Sequence, residues 1–261
     1  MHIEVEVPRG PGGERAGASY GGGGDGETVS FECENSITSA WVCREILEGT
    51  TYPVPSFLGD VAVVLDVGAN CGAAAIHFAR AFPAAAVHAF EPAAAPREVA
   101  ERNAAAYPNV TVHPFGLSDQ DAEARLFHAD ESIMGSIVRT DDAVSSEPVH
   151  LRRGDTWALE AGIDRVDVLK VDVEGAEQQV LVGLGDLVDR AQVVYVEYDS
   201  RRSRRWIEGR LAGTHELYFA SLQVLDQGEA MYLRSDLCDH PDALEELRVI
   251  LRRRYGRPVE G

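Results

Sequence analysis

Lysine is almost absent from this chain of 261 residues: Lys170 is the only one, and arginine carries the rest of the positive side-chain charge. The bias fits a GC-rich coding sequence. It makes the one ammonium notable, because a compact ammonium and a planar guanidinium are not interchangeable. Positive charge is scarce altogether, with 24 Lys and Arg against 43 Asp and Glu and a formal net charge of −19. A nucleic-acid partner needs a basic face that displaces counterions, so none is expected. The arginines from Arg201 to Arg205 are the exception, read as a solvated helix start or a local anion contact. No apolar run approaches the ~20 residues that cross a bilayer, and no signal-peptide pattern opens the chain. The expectation is a cytoplasmic protein with no membrane partner. Cys33, Cys43, Cys71 and Cys238 include no Cys-x-x-Cys pair, which argues for reduced thiols over a disulfide framework or a zinc site.

What is present centres on Val63-Val-Leu-Asp-Val-Gly-Ala-Asn-Cys-Gly72. Val61 to Val67 is a short β-branched run, as a strand buried on both faces requires. Asp66 interrupts it near its carboxyl end, and Gly68 permits a sharp turn with no Cβ in the way. Gly72 opens an Ala-rich helix over Ala73–Phe82, stopped by Pro83. Strand, Asp-x-Gly-x-x-x-Gly turn and helix, in that order, build the nucleotide crevice of an open α/β sheet. A dinucleotide fingerprint would place a glycine where Asn70 stands, so that a pyrophosphate can sit on the turn. An acidic turn without that glycine suits a cationic nucleoside such as S-adenosylmethionine, with Asp66, Gly68, Asn70 and Gly72 as contacts. A tight turn holding no ligand would read the same way.

Residues 1–27 are rich in Gly and Pro and are expected to form a disordered arm. Residues 28–60 read as an N-terminal helical lid, and 61–261 as the main domain. In the lid, Ser36 or Thr38 caps a helix to about Leu47 whose apolar side is Ile37, Trp41 and Ile46. A helix packed on the sheet edge is the equal alternative. Ala86–Phe90 is the second strand, and Pro92 holds Glu91 extended at its carboxyl end. An acid there, 25 residues after Asp66, takes ribose hydroxyls. A helix over Ala95–Ala106 and a third strand over Asn109–His113 follow. The exit from that strand carries Leu117 and Ser118, suited to an adenine edge. Ala122–Leu151 alternates irregularly, with short strands at Ala124–Phe127 and Pro148–Leu151, a loop at Met134–Ser136, and then a helix from Asp155 to Gly162.

Val166–Asp172 is the fourth strand, and its period of two puts Val168, Lys170 and Asp172 on one face, about 7 Å apart. A lysine and an aspartate there are costly to bury unless paired. Glu174 and Glu177 start the next helix, where acids have an ordinary explanation in the macrodipole. Val193–Tyr198 brings Glu197 and Asp199 to the same end of the sheet. Asp172, Lys170 and Glu197 are therefore the candidate catalytic residues. Asp172, Glu197 and Asp199 are candidate ligands for Mg2+ or Mn2+, which prefer oxygen donors. The competing reading is metal-free, with Asp172 serving the cofactor or acting as base. His128, His150 and His215 lie on segments able to flank the crevice. A helix near Trp206–Leu211 precedes strands over Leu217–Leu225 and Ala230–Leu233, joined through Asp226–Glu229 as a C-terminal antiparallel hairpin. Ala243–Tyr255 is an amphipathic helix.

Four blocks stand in order over roughly residues 60–200: Asp66–Gly72, Ala89-Phe-Glu-Pro92, Gly116-Leu-Ser-Asp119 and Lys170-Val-Asp-Val-Glu-Gly-Ala-Glu177. Together they resemble the FkbM-type S-adenosylmethionine-dependent methyltransferases. The resemblance implies an α/β fold, the class I methyltransferase (Rossmann-like) doubly wound sheet, mostly parallel. It also implies O-methyl transfer to a hydroxyl of a small-molecule substrate, such as a polyketide or a sugar. The family's Leu-Asp before the fourth strand appears as Gly154-Asp155, and residues 1–60 and 200–261 match loosely. Two rivals remain. A nicotinamide-dependent oxidoreductase would share the sheet and Glu91 but needs the missing glycine. A catalytically inactive scaffold would have no use for acids at three successive strand ends. The sequence leaves the oligomeric state open, a homodimer included.

Overall fold

In the computed structural model, the described residues are 1–8, 26–129, 135–136, 143–224 and 226–255. β1 (His2–Val7) and β2 (Glu27–Glu32) pair antiparallel, with His2 opposite Glu32. Composition predicts a disordered arm over 1–27, and this strand corrects it for the first residues. Ile3, Val5 and Val7 are buried while His2, Glu4 and Glu6 are exposed, the alternation of a half-buried strand. Residues 9–25 of that arm lie outside the described residues.

α1 (Ile37–Leu47) begins at Ser36, whose Oγ accepts the Ser39 N–H. Its buried side is only partly the expected one, since Ile46 packs against the core. Ile37 is 90% and Trp41 58% exposed, whereas Ser39, Cys43 and Leu47 are buried. Cys43 and Leu47 pack with the β1–β2 pair and with Ala73 and Ile76.

The chain continues through β3 (Val63–Val67), α2 (Ala73–Ala81), β4 (Ala86–Phe90), α3 (Ala94–Ala104) and β5 (Val110–His113). A smaller sheet follows, built from β6 (Gly116–Ser118), β7 (Ala122–Ala129), β8 (Gly135–Ser136) and β9 (Ala143–Arg153), then α4 (Gly154–Glu160). The return runs through β10 (Val168–Val171), α5 (Glu177–Leu184), α6 (Asp186–Arg190) and β11 (Val193–Tyr198). The last part is α7 (Arg201–Leu211), β12 (His215–Val224), β13 (Gln227–Arg234), α8 (Ser235–Cys238) and α9 (Ala243–Tyr255).

Seven strands form the central sheet in the order β12-β13-β11-β10-β3-β4-β5. The five from β11 to β5 are parallel, and β13 runs antiparallel to both of its neighbours. This is the class I methyltransferase sheet. Every residue of β10 is buried, as are the last four of β3, because helices cover both faces. One face packs on α4, α5 and α7 through Leu169, Val171 and Val194. The other packs on α2, α9 and residues 52–61 through Val64, Val168 and Tyr195. The chain leaves β3 toward β4 and comes back to β10 on the other side. Their carboxyl ends therefore open onto the crevice at the topological switch point.

Two local expectations need correcting. Gln227, Gly228 and Glu229 lie in β13, not in a turn. A Cβ on Gly228 would stand 2.2 Å from the Ser221 carbonyl oxygen, so this glycine serves close strand approach. β7 and β9 pair antiparallel from Ala122 opposite Leu151 to Ala129 opposite Ala143, with a register shift between His128 and Ala129, longer than the two short strands expected. Gly135–Ser136 is strand β8 where a loop was expected, and Met134 lies outside the described residues. Among the described residues, no helix is long and apolar enough to cross a membrane.

Candidate active site

The turn after β3 has a backbone that few side chains tolerate. Gly68 has φ +83°, and a Cβ there would stand 1.8 Å from the Asp172 carbonyl oxygen. Asn70 also lies in the left-handed region, at φ 49°, where asparagine is among the least strained residues. At the end of β4, Glu91 is 7% exposed. Its Oε2 accepts the Asn70 N–H and its Oε1 the Ala93 N–H, each at 2.8 Å. Burial pushes this carboxyl up to about 7, against the pull of those two N–H groups. Each oxygen keeps a lone pair for a further donor. Gly68, Asn70, Glu91, Leu117, Asp172 and Glu174 line one cleft, with apolar walls from Pro92, Leu126 and Leu151.

Beside the cleft, Lys170 is 3% exposed. Its Nζ lies 3.1 Å from Asp66 Oδ1 and 3.4 Å from Asp172 Oδ2, and donates to the Gly68 carbonyl at 2.6 Å. Register explains this: Lys170 pairs with Asp66 across β3 and with Tyr195 across β11. Burial works against the ammonium, but Asp66 and Asp172 outweigh it and hold Lys170 above its ordinary value. Asp172 is likewise opposed by burial, yet Lys170 and hydrogen bonds to Glu197 and Tyr52 hold it low. Glu197 moves the other way, raised by burial and by the charge of Asp172. The two carboxyls are hydrogen-bonded and titrate as a pair, with Asp172 the more acidic side. Tyr52 OH donates to Asp172 Oδ2 at 3.4 Å, and its ring stands edge-on to Tyr195.

The profile of the FkbM methyltransferase domain matches residues 66–256. This chain belongs to the FkbM methyltransferase family. It is 30% identical to the 2-O-methyltransferase NoeI of Sinorhizobium fredii, over 63% of this chain and 71% of that one. It is also 30% identical to the 31-O-demethyl-FK506 methyltransferase FkbM of Streptomyces tacrolimicus, over 62% and 74%. The AMB antimetabolite synthetase AmbE of Pseudomonas aeruginosa is 34% identical over 64% of this chain, which spans a tenth of that much longer protein.

In this FkbM-family cleft, five of the residues expected to hold a cofactor are brought together: Gly68, Asn70, Glu91, Leu117 and Asp172. Three are not. Asp66 is wholly buried under Lys170 and serves as its counter-charge. Gly72, at φ +86°, lets α2 approach α3, since a Cβ would stand 3.3 Å from Ala100. Ser118 is buried beside Gly183, where its carbonyl leaves room for no Cβ. The expected metal trio changes too. Asp172, Glu174 and Glu197 converge, with ligand atoms within 4.8 Å of one another, and the exposed Asp199 is not among them. β11 ends at Tyr198, so the alternation that placed Asp199 has stopped, while Glu174 turns back at φ 53°. Of the three candidate histidines, the two whose side chains are described are not placed as a base. His150 is exposed, His215 is buried with Nε2 at 2.9 Å from the Ala191 carbonyl at the far end of β11, and the His128 side chain lies outside the described residues. Tyr52 and Glu174 are the residues the sequence reading missed. The only signal for Glu174 was its place in the Asp172-Val-Glu-Gly175 block, and Tyr52 had none.

Proposed function

We propose that this chain transfers a methyl group from S-adenosylmethionine to a hydroxyl of a small molecule. The observation that carries the reading is Glu91: a buried carboxylate, pinned by two backbone N–H groups, facing a glycine turn with no room for a Cβ. In a methyltransferase-family chain, that arrangement fits the vicinal hydroxyls of a ribose, with Leu117 and the apolar wall toward the base. When bound, the cofactor supplies an electrophilic methyl group for direct displacement, so the protein's tasks are alignment, water exclusion and proton removal. Asp172 is the proposed acceptor of the hydroxyl proton, kept ionised by Lys170 and steadied by Tyr52 and Glu197. The O-methyltransferase relatives support an oxygen acceptor. Asn70 in place of the middle glycine weighs against a nicotinamide cofactor, and the ionised Asp172 against an inactive scaffold.

Calorimetry with S-adenosylmethionine tests the reading. Glu91→Ala should weaken binding by about 1.5–3 kcal/mol, roughly 10- to 150-fold; unchanged affinity in a folded variant would overturn it. A second reading takes the convergence of Asp172, Glu174 and Glu197 as a Mg2+ or Mn2+ site. We favour the metal-free one, because the Lys170 ammonium already lies 3.4 Å from Asp172, and burial with the charge of Asp172 raises the Glu197 carboxyl and so disfavours its anionic form. Exhaustive chelation should leave turnover intact, and loss restored by adding Mg2+ or Mn2+ would reverse that preference.

A further inference from the structure

Three of the four cysteines meet beside the Gly68–Gly72 turn. Cys33 follows β2, Cys43 lies on the buried side of α1, and Cys71 sits in the turn itself. Cys43 Sγ and Cys71 Sγ are 3.5 Å apart, and Cys33 adjoins Cys43. Cys33 and Cys43 are buried, while Cys71 is half-buried. The sulfur–sulfur hydrogen bond with Cys43, in which either thiol can donate, holds the Cys71 thiol below its ordinary value; burial opposes this, and the N–H groups of Ala73 and of Cys71 itself add to it. Cys43 moves the other way, pushed up by that same bond and by burial. A thiolate-prone sulfur with a second thiol in contact is how reactive, resolvable cysteines are built. The methyl-transfer chemistry uses neither.

We propose that Cys71 is a modification site for hydroperoxides, with Cys43 as the thiol that resolves it into a Cys43–Cys71 disulfide. The Cys71 thiolate attacks one peroxide oxygen, the O–O bond breaks, and the leaving oxygen takes a proton to depart as water or alcohol. Cys71 is then a sulfenic acid. The Cys43 sulfur attacks the Cys71 sulfur, the S–O bond breaks, and the hydroxyl leaves with the Cys43 proton as water. Two thiols lose two electrons in all, and the peroxide gains them.

Closing the bond requires the sulfurs to approach from 3.5 Å to about 2 Å, which draws the turn toward α1. The turn is tied on its other side. The Asn70 N–H is held by Glu91, the Cys71 carbonyl by Asn103 Nδ2 at 2.9 Å, and Gly72 packs on Ala100. Oxidation therefore strains the cradle of Glu91 and weakens cofactor binding. That consequence rests on the proposed methyltransferase activity, whereas the thiol chemistry does not.

The test treats the full chain with a few equivalents of hydrogen peroxide, followed by intact mass and non-reducing peptide mapping. The expected result is loss of two hydrogens, a Cys43–Cys71 linked peptide, and reversal by dithiothreitol. Cys43→Ala and Cys43→Ser should both accumulate a dimedone-trappable sulfenic acid on Cys71, so a packing defect in one does not decide the outcome. First oxidation at Cys238, or a Cys71 that stays free while other thiols react, overturns the proposal. Calorimetry on the oxidised chain should show S-adenosylmethionine bound about tenfold more weakly or worse, which is at least about 1.4 kcal/mol, and restored on reduction. Unchanged affinity in the cross-linked chain overturns the coupling to the cradle. If the reduced chain binds no S-adenosylmethionine at all, it is the methyltransferase reading that fails, and the mass readout still decides the thiol pair.

Discussion

At the amino end of β10, Asp167 accepts the N–H groups of Ala62 at 2.8 Å and Val63 at 3.0 Å, and Arg165 Nε at 2.9 Å. At the carboxyl end, Asp172 shares one ammonium with Asp66 and is hydrogen-bonded to Glu197. The strand between is four residues long, so two acid clusters a few residues apart meet opposite electrostatic conditions. Burial opposes the charge on Asp167, but Arg165 and the two N–H groups outweigh it and hold that carboxyl low. At the other end neighbouring carboxyls are driven apart: Asp172 falls, while Asp66, Glu174 and Glu197 rise. A satisfied acid ties strands together, and a split set of acids holds protons ready to move. The difference separates scaffold from chemistry within one strand.

Removing Lys170 should break the carboxyl end most severely. Lys170→Met leaves Asp66 and Asp172 buried without their cation and should cost about 3–5 kcal/mol in urea unfolding, with loss of turnover. Adding Asp66→Asn to that variant should recover a good part of the stability, because one of the two stranded charges is gone. No recovery would mean that Lys170 acts through packing and not through charge.

The amino end should respond more mildly, and only in stability. Asp167→Ala strands the N–H groups of Ala62 and Val63 and should cost about 1–3 kcal/mol. Cofactor affinity should stay within about twofold of the parent, in contrast to Glu91→Ala. A parallel loss of affinity would show that the two ends of β10 are not independent.

Much of this contrast was legible in the residues. Ala86–Phe90 and Val193–Tyr198 are strands with the bounds expected, because short apolar runs rich in β-branched residues stop at a proline or a charged turn. Glu91, Asp172 and Glu197 were readable from strand-end position alone. Alternation also put Lys170 and Asp172 on one face, and they touch. The rest depended on information that a local pattern does not carry. Tyr52 lies 120 residues before its partner Asp172, and only the folded sheet brings them together. Glu174 needs a left-handed backbone, uncommon for a glutamate, to turn back toward the cleft. On α1 the buried residues are Ser39, Cys43 and Leu47, a face turned away from Ile37 and Trp41, and only the position of the β1–β2 pair decides which side is covered. The strand over His2–Val7 was hidden by the glycine-rich residues that follow it.

The smallest effect expected gives the finest comparison, since it turns on the sign of a pH dependence. Burial and the charge of Asp172 push Glu174 up to about 7. The folded chain therefore binds this proton more tightly than the unfolded chain does. The stabilisation is complete below the ordinary glutamate range, near pH 4.5, and is lost as pH rises through about 7. Glu91 shifts in the same direction. Asp167 has the opposite sign: held low, it stabilises at neutral pH and loses that contribution as pH falls through its depressed value. Glu174→Gln keeps the size and shape of the side chain and removes one titration. It should raise stability near pH 8 by on the order of 1 kcal/mol, about 2–4 °C in Tm, and flatten the decline between pH 5 and 8. Asp167→Asn should leave that neutral slope alone and flatten the acid limb. Melting curves from about pH 2 to 9 on the two variants separate the cases; a Glu174→Gln slope identical to the parent would mean that this carboxyl is ionised at neutral pH and that the cleft end of β10 is less divided than its geometry implies.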